Sequence, residues 1–191
     1  MKPLRITGRF DAMPPPADWR EQLAMLAGGK PRRISLWTEL GLYGALSCMA
    51  QAGEACLPPG AALWLGSRRG THVATVSVIA QLRDELPMPL SFLQTQPSQS
   101  LAILGAQLGW VGSACFVAGG SPAALLQLAT ARMGEAGVLL GWVDDMDGGS
   151  SHWLRLYPEA GDGGRAASEP NAAHPMVDGI WSDLGAGRVK C

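Results

Sequence analysis

One serine lies in a sequence context that could support nucleophilic chemistry. Ser121 follows a short apolar run and the pair Gly119-Gly120, and Pro122 comes directly after it. Residues 119–123 nearly match the G-x-S-x-G elbow of serine hydrolases, with Ala123 in place of the last glycine. A serine hydroxyl barely ionises by itself, so a nucleophile at this position needs a positioned base.

Residues that could complete a hydrolase triad occur later in the chain. Asp144 or Asp145, and then His152 or His174, follow in the order that α/β-hydrolases use. In these hydrolases the backbone N–H of the residue after the nucleophile forms part of the oxyanion hole, and Pro122 has no N–H. Loss of one such donor lowers the reaction rate by a factor of about 10²–10³. The sequence therefore favours a helix cap at the serine, with Pro122 in the first helical position. The hydrolase is kept as an alternative.

Neither the aspartates nor the cysteines have the spacing of a metal site. Asp144, Asp145 and Asp147 lie close together, but a calcium loop needs ligands at alternate positions and a late glutamate, and Glu159 lies beyond an alternating strand pattern. A turn capped by aspartate side chains is favoured. The cysteines match no zinc template and are expected to be reduced thiols: Cys48, Cys56, Cys115 and Cys191. We expect neither a metal nor a cofactor.

The composition excludes several classes of partner. A net charge of −1 provides no attraction to nucleic acid or an anionic membrane. No apolar run reaches the roughly 18 residues of a membrane span, and residues 1–10 lack the apolar region of a secretory signal, which predicts a cytoplasmic protein. Lys30, Arg32 and Arg33 could meet an acidic carrier protein, and His72 could contact a phosphopantetheine phosphate. Solvated surfaces are the favoured interpretation of both.

Apolar patterning predicts an α/β fold. Strand patterns cover residues 4–8, 61–67, 115–118, 136–144 and 153–157, and helical patterns cover 17–26, 35–52, 71–86, 101–108 and 122–133. Residues 87–100 read as a polar connector. This alternation indicates a mostly parallel central sheet with helices on both faces. We expect one domain over residues 1–158, and a mobile Gly/Ala-rich segment with a C-terminal docking tail over 159–191.

Several segments, taken in order, resemble the N-terminal half of β-ketoacyl synthases, the thiolase-like condensing enzymes. The opening strand Arg5-Ile6-Thr7-Gly8 is similar to the V-I-T-G strand of that family. The other similar segments are residues 46–53, 63–67, 94–108 and 137–144, so the resemblance spans about residues 4 to 157. Residues 108–125 resemble the turn, strand and elbow that hold the nucleophilic cysteine. Ser121 falls at the position of that cysteine.

The resemblance implies the fold of a condensing enzyme without its nucleophile. Ser113 replaces the usual proline after Gly112, and the C-terminal half that carries two histidines and a lysine in the family has no counterpart here. A member of the family that lacks the nucleophilic cysteine is typically a chain length factor. Chain length factors pair with an active ketosynthase and shape the tunnel for the growing acyl chain. Short proteins of this kind resemble those of aryl polyene (xanthomonadin-like) pigment pathways.

The resemblance also implies partners and a surface. The expected partners are an active β-ketoacyl synthase and an acyl carrier protein, in fatty-acid or polyketide biosynthesis, with no independent activity of this chain. Because thiolase-like folds dimerise through the strand next to the nucleophile, we expect a heterodimer, or a homodimer in isolation, through residues 115–118. The candidate acyl-pocket and interface residues are Trp110, Cys115, Phe116, Val117, Gly119, Gly120 and Ser121. A self-dimerising scaffold that binds acyl carrier protein alone is a further alternative.

Overall fold

The computed structural model describes residues 4–85, 89–159 and Trp181. The strands are β1 (Leu4–Ala12), β2 (Ala62–Ser67), β3 (Ala114–Ala118), β4 (Val138–Asp144) and β5 (Ser150–Pro158). The helices are α1 (Trp19–Leu26), α2 (Leu36–Ala52), α3 (His72–Arg83), α4 (Pro89–Leu93), α5 (Pro97–Gln107) and α6 (Pro122–Ala131).

The five strands form one mixed sheet in the order β1-β5-β4-β2-β3. Strands β3, β2 and β4 are parallel neighbours, and β5 is antiparallel to both β4 and β1. Four strands therefore run in one direction and β5 alone is reversed. The expected mostly parallel sheet is confirmed, and β3 lies at one edge of it.

The first face of the sheet is covered by α1, α2 and α5. Helix α2 is nearly all apolar, and Gly44 lets it approach β5 closely, since a Cβ there would lie 2.3 Å from the Trp153 ring. The predicted cap is present, because the Ser35 side chain accepts from the Thr38 N–H at 3.2 Å. Gly53 ends the helix with φ 72°, in the left-handed region that glycine tolerates best.

The second face is covered by α6, which packs on β2 and β4. Leu125, Leu126 and Ala129 of this helix are buried against the sheet. Helices therefore lie on both faces, as the sequence predicts. The domain of residues 1–158 stays a prediction, and the segment expected to be mobile lies outside the described residues apart from Glu159 and Trp181.

A buried ionic cluster joins the loop after α2 to β5. Arg155 is fully buried, and its Nε donates to both carboxylate oxygens of Glu54, at 3.0 and 3.2 Å. The guanidinium also donates to the Ala136 carbonyl at 3.0 Å and to the Tyr157 hydroxyl, which itself donates to Glu54 at 3.0 Å. A buried charge is tolerated when its donors are satisfied in this way.

Three predictions about the elements need correction. The first strand runs beyond Gly8 to Ala12, because its outer half pairs with β5 as far as Ser151. The connector assigned to residues 87–100 contains α4 and the first turn of α5, which begins at Pro97 rather than 101. The third and sixth helices end early, at Arg83 and Ala131. No helix in the described part of the chain is long and apolar enough to cross a membrane.

Candidate interaction surface at the β3 edge

The chain turns sharply after β3 and enters α6 through a capped start. Gly119 and Gly120 have φ values of 76° and 72°, which glycine adopts at little cost. The Gly119 N–H donates to the Ser67 carbonyl at 2.9 Å and holds the turn against the end of β2. The Ser121 hydroxyl then accepts from the Ala124 N–H at 3.2 Å. Ser121 is therefore the N-cap of α6, as favoured from the sequence.

Replacing Ser121 with alanine should cost about 1 kcal/mol of folding free energy, the usual value of a helix cap. Ser35→Ala should cost more, because Ser35 is buried and its Oγ lies 2.8 Å from the Thr38 hydroxyl, which is 2.7 Å from that of Ser100. Urea unfolding of both variants measures the difference. A Ser121→Ala variant of unchanged stability that loses an activity would contradict the capping role.

The structure does not assemble a hydrolase triad around Ser121. His152 pairs with Trp142 on β4, and the register then continues through Gly66 on β2 to Val117 on β3. Three strand spacings of about 4.8 Å separate His152 from β3, far beyond hydrogen-bond reach of Ser121. His174 lies outside the described residues. The hydrolase alternative gains no support.

His152 is instead bound to β1. Its Nδ1 lies 2.8 Å from a carboxylate oxygen of Asp11, whose other oxygen accepts from Arg9 at 2.6 Å. Partial burial would raise the pKa of Asp11, but the hydrogen bonds from His152 and Arg9 outweigh it and hold the pKa below its usual 3.8. This cluster supports the β1–β5 pairing at the edge of the sheet opposite to β3.

The aspartates at the end of β4 and directly after it bind the end of β2 and the start of α3. Asp144 accepts from the Ser67 hydroxyl at 2.9 Å and from the Arg68 N–H at 2.8 Å, and Asp145 accepts from the Val73 N–H at 3.1 Å. Burial raises the pKa of Asp145 above its usual value. Among the described residues no three acidic, histidine or cysteine side chains converge as a metal site. The two carboxylates bind groups 72–77 residues away in sequence rather than capping their own turn, which corrects the turn favoured from the sequence.

The candidate residues of β3 alternate between the two faces of the sheet. Phe116 points to the first face, where its ring meets Trp37 edge-on at 5.5 Å. Cys115 and Val117 pack against the cluster on the second face, and all three side chains remain partly exposed. One side of β3 pairs with β2, and its other side pairs with no described strand. The β3 edge therefore presents free backbone groups and partly exposed side chains to a partner.

Trp110 lies at the opposite end of β3 from the elbow that holds Ser121. It is buried in the first-face core before β3 begins, whereas Ser121 follows the end of that strand. Five strand residues, about 3.3 Å each, separate the two ends. Trp110 and Ser121 thus belong to opposite ends of β3. A role for Trp110 in an acyl pocket stays a prediction.

An exposed apolar surface lies on α3 and α4, two helices that contact each other. No residue of either helix is buried. The large apolar side chains of this α3–α4 surface are each 44–60% exposed, and they are Val73, Val76, Ile79, Leu82, Leu90, Phe92 and Leu93. A Cβ on Gly70, just before α3, would lie 3.4 Å from the Phe116 ring, so this surface begins next to β3.

The basic residues lie in the α1–α2 loop. Lys30, Arg32 and Arg33 are exposed, and Arg33 also lines a small cleft with Ser35 and Ser100. His72 begins α3 and is partly exposed. These positions agree with the solvated surfaces favoured from the sequence.

Solved structures share this arrangement of strands and helices. No protein-family model matches the chain, and no curated protein matches it in sequence. A structure titled as a ketosynthase (ApeO) in complex with its chain length factor (ApeC) from Xenorhabdus doucetiae matches with a TM-score of 0.59 at 16% identity, over 84% of this chain and 81% of the matched one. The chain has the thiolase-like fold. This confirms the fold class expected from the sequence.

Two more structures share the thiolase-like fold. One is the AntDE:AntF structure, titled as a type II polyketide synthase acyl-carrier protein in complex with its ketosynthase bound to the hexaketide, with a TM-score of 0.61 at 12% identity over 83% of this chain. The other is the ishigamide ketosynthase/chain length factor, with a TM-score of 0.60 at 17% identity over 82% of this chain. The chain spans 63% and 62% of those two matched chains.

Proposed function

We propose that this chain is a non-condensing, chain-length-factor-type subunit that pairs with an active β-ketoacyl synthase in fatty-acid or polyketide biosynthesis. The observation that carries the proposal is the exposed apolar α3–α4 surface, on a chain whose β3 edge pairs with no further described strand. Structures of the same fold are titled as ketosynthases in complex with chain length factors, and one as a ketosynthase in complex with an acyl carrier protein. An acyl carrier protein is therefore proposed as the second partner.

The α3–α4 surface has the composition of an interface core. Monomeric proteins rarely expose seven large apolar side chains in one region, because contiguous apolar patches promote association. The centre of a protein interface is depleted of charge, and between His72 at its first position and Arg83 at its last, α3 contains no acidic or basic residue. An apolar helix beside a free strand edge suits a partner that adds a strand and buries a helix at the same time.

The elbow supports a binding role rather than a condensing one. Condensation needs a nucleophile that can carry the acyl chain, and thiolates do this far better than alcohols at neutral pH. Ser121 carries no thiol, forms no hydrogen bond to a histidine among the described residues, and its hydroxyl accepts from the Ala124 N–H. We propose that this chain acts on the product by the shape it gives to its partner's acyl pocket.

Cysteine alkylation should locate the partner on this chain. Cys115 lies on β3 and is partly exposed, whereas Cys56 is exposed in the loop after α2. Burial raises the pKa of Cys48 to about 12, so this thiol should not react near neutral pH. We expect the alkylation of Cys115, followed by peptide mass spectrometry, to slow when the ketosynthase binds, because the partner covers the β3 edge.

Cys56 is the internal control, and its alkylation rate should be the same in the free chain and in the complex. A stable complex in which Cys115 reacts as fast as in the free chain would place the ketosynthase on another surface. Failure to form any complex, with Cys115 protected only at high concentration of this chain alone, would instead favour the self-dimerising scaffold.

A further inference from the structure

The buried part of the second face extends beyond the two strands that α6 covers. Helix α6 packs on β2 and β4, and β5 lies one strand spacing, about 4.8 Å, beyond β4. Leu154 and Leu156 of β5 belong to the cluster on this face and are fully buried. Side chains outside α6 therefore contribute to the burial of β5 on this face, and Ile6 and Met133 are among those packed against the cluster.

Trp181 belongs to the same cluster. Its side chain is 1% exposed, and it packs in one continuous group with Trp64, Trp142 and the two β5 leucines. Among the buried cluster members that the structure describes, it alone lies outside the sheet and α6. A tryptophan buries about 150–250 Å², enough to cover a strand and its neighbour.

The contact is apolar. The Trp181 Nε1–H is buried and has no acceptor among the described residues. A buried donor without a partner opposes binding, so the apolar ring must supply the stabilisation. The chain between Glu159 and Trp181 is long enough to reach any point of the sheet.

We propose that Trp181 is a fixed part of the second-face core of its own chain and closes the part of this face over β4 and β5 to other proteins. The group that covers this part of the face is the Trp181 indole ring of the same chain, which lies over β5 and β4. A partner protein must then bind at a surface other than this part of the second face. This inference concerns the isolated chain and does not depend on the proposed pairing with a ketosynthase.

The test measures the rate at which the Trp181 indole N–H exchanges its hydrogen with solvent in the full-length chain. The indole resonances of ¹⁵N-labelled protein are compared between the natural sequence and Trp181→Phe, which assigns the signal by its loss. We expect exchange at least about tenfold slower than that of a free indole, and equally slow at every protein concentration, because opening of a buried core site must precede exchange.

Stability gives a second readout. Trp181→Ala should lower the Tm by about 10 °C, and Trp181→Phe by less, because removal of a buried aromatic ring leaves a cavity. Leu128→Ala on the exposed side of α6 is the matched control and should leave the Tm nearly unchanged.

Indole N–H exchange as fast as in a free indole would overturn the proposal. Slow exchange seen only at high protein concentration would also overturn it, because a second copy of the chain would then be what covers this face. If the alanine variant fails to fold, the exchange measurement on the natural chain still decides.

Discussion

Ile79→Asp should break the complex with the ketosynthase while the isolated chain stays folded. Ile79 lies at the middle of the apolar side chains on α3 and is 45% exposed, so a charge there costs little in the free chain. In the complex the carboxylate would be buried without a partner. We expect at least about a 100-fold loss of affinity, which corresponds to about 2.7 kcal/mol.

Met25→Asp is the matched control for that variant. Met25 is also an exposed apolar residue on a helix, but it lies on α1, which packs on α2. Its replacement should leave the affinity unchanged in the same titration. Equal losses for both variants, or none for Ile79→Asp, would remove the α3–α4 surface from the interface.

Arg155→Met should lower the free energy of unfolding by about 3–5 kcal/mol, because removal of one partner leaves a partly buried carboxylate uncompensated. Glu54 would lose both hydrogen bonds from the guanidinium and keep only the one from Tyr157. The Ala136 carbonyl would lose its donor as well. Urea unfolding monitored by circular dichroism measures this change.

The matched control is Arg20→Met, which removes an arginine from a surface ion pair. Arg20 donates to Glu39 at 3.0 Å, and its side chain is 52% exposed. Surface pairs of this kind contribute about 1 kcal/mol or less. Similar decreases in the free energy of unfolding for the two variants would show that the cluster around Arg155 contributes no more than an ordinary surface ion pair.

The elements that the sequence predicts best are those with local signals. Helix α2 has a serine cap, a long apolar run and a terminal glycine within one segment, and the structure confirms all three. The cap at Ser121 also follows from a local rule, because a serine directly before a proline suits the start of a helix. Alternation of strand and helix patterns was enough for the fold class.

Features that depend on distant residues could not be predicted. The apolar spacing of α3 matches that of a buried helix, and only the tertiary structure shows that this side is uncovered. The partners Glu54 and Arg155 are 101 residues apart, so no local pattern joins them. The first turn of α5 was missed because its serines and glutamines read as a loop, although Ser100 is buried against Thr38.

The most direct measurement of the central claim is a condensation assay with and without this chain. The ketosynthase encoded nearest to it would be co-expressed with the full chain, sized, and supplied with acyl carrier protein substrates, with products identified by mass spectrometry. We expect a one-to-one complex that condenses only when this chain is present, and equal activity with Ser121→Ala. A monomer or homodimer that changes neither the rate nor the product length would contradict the claim.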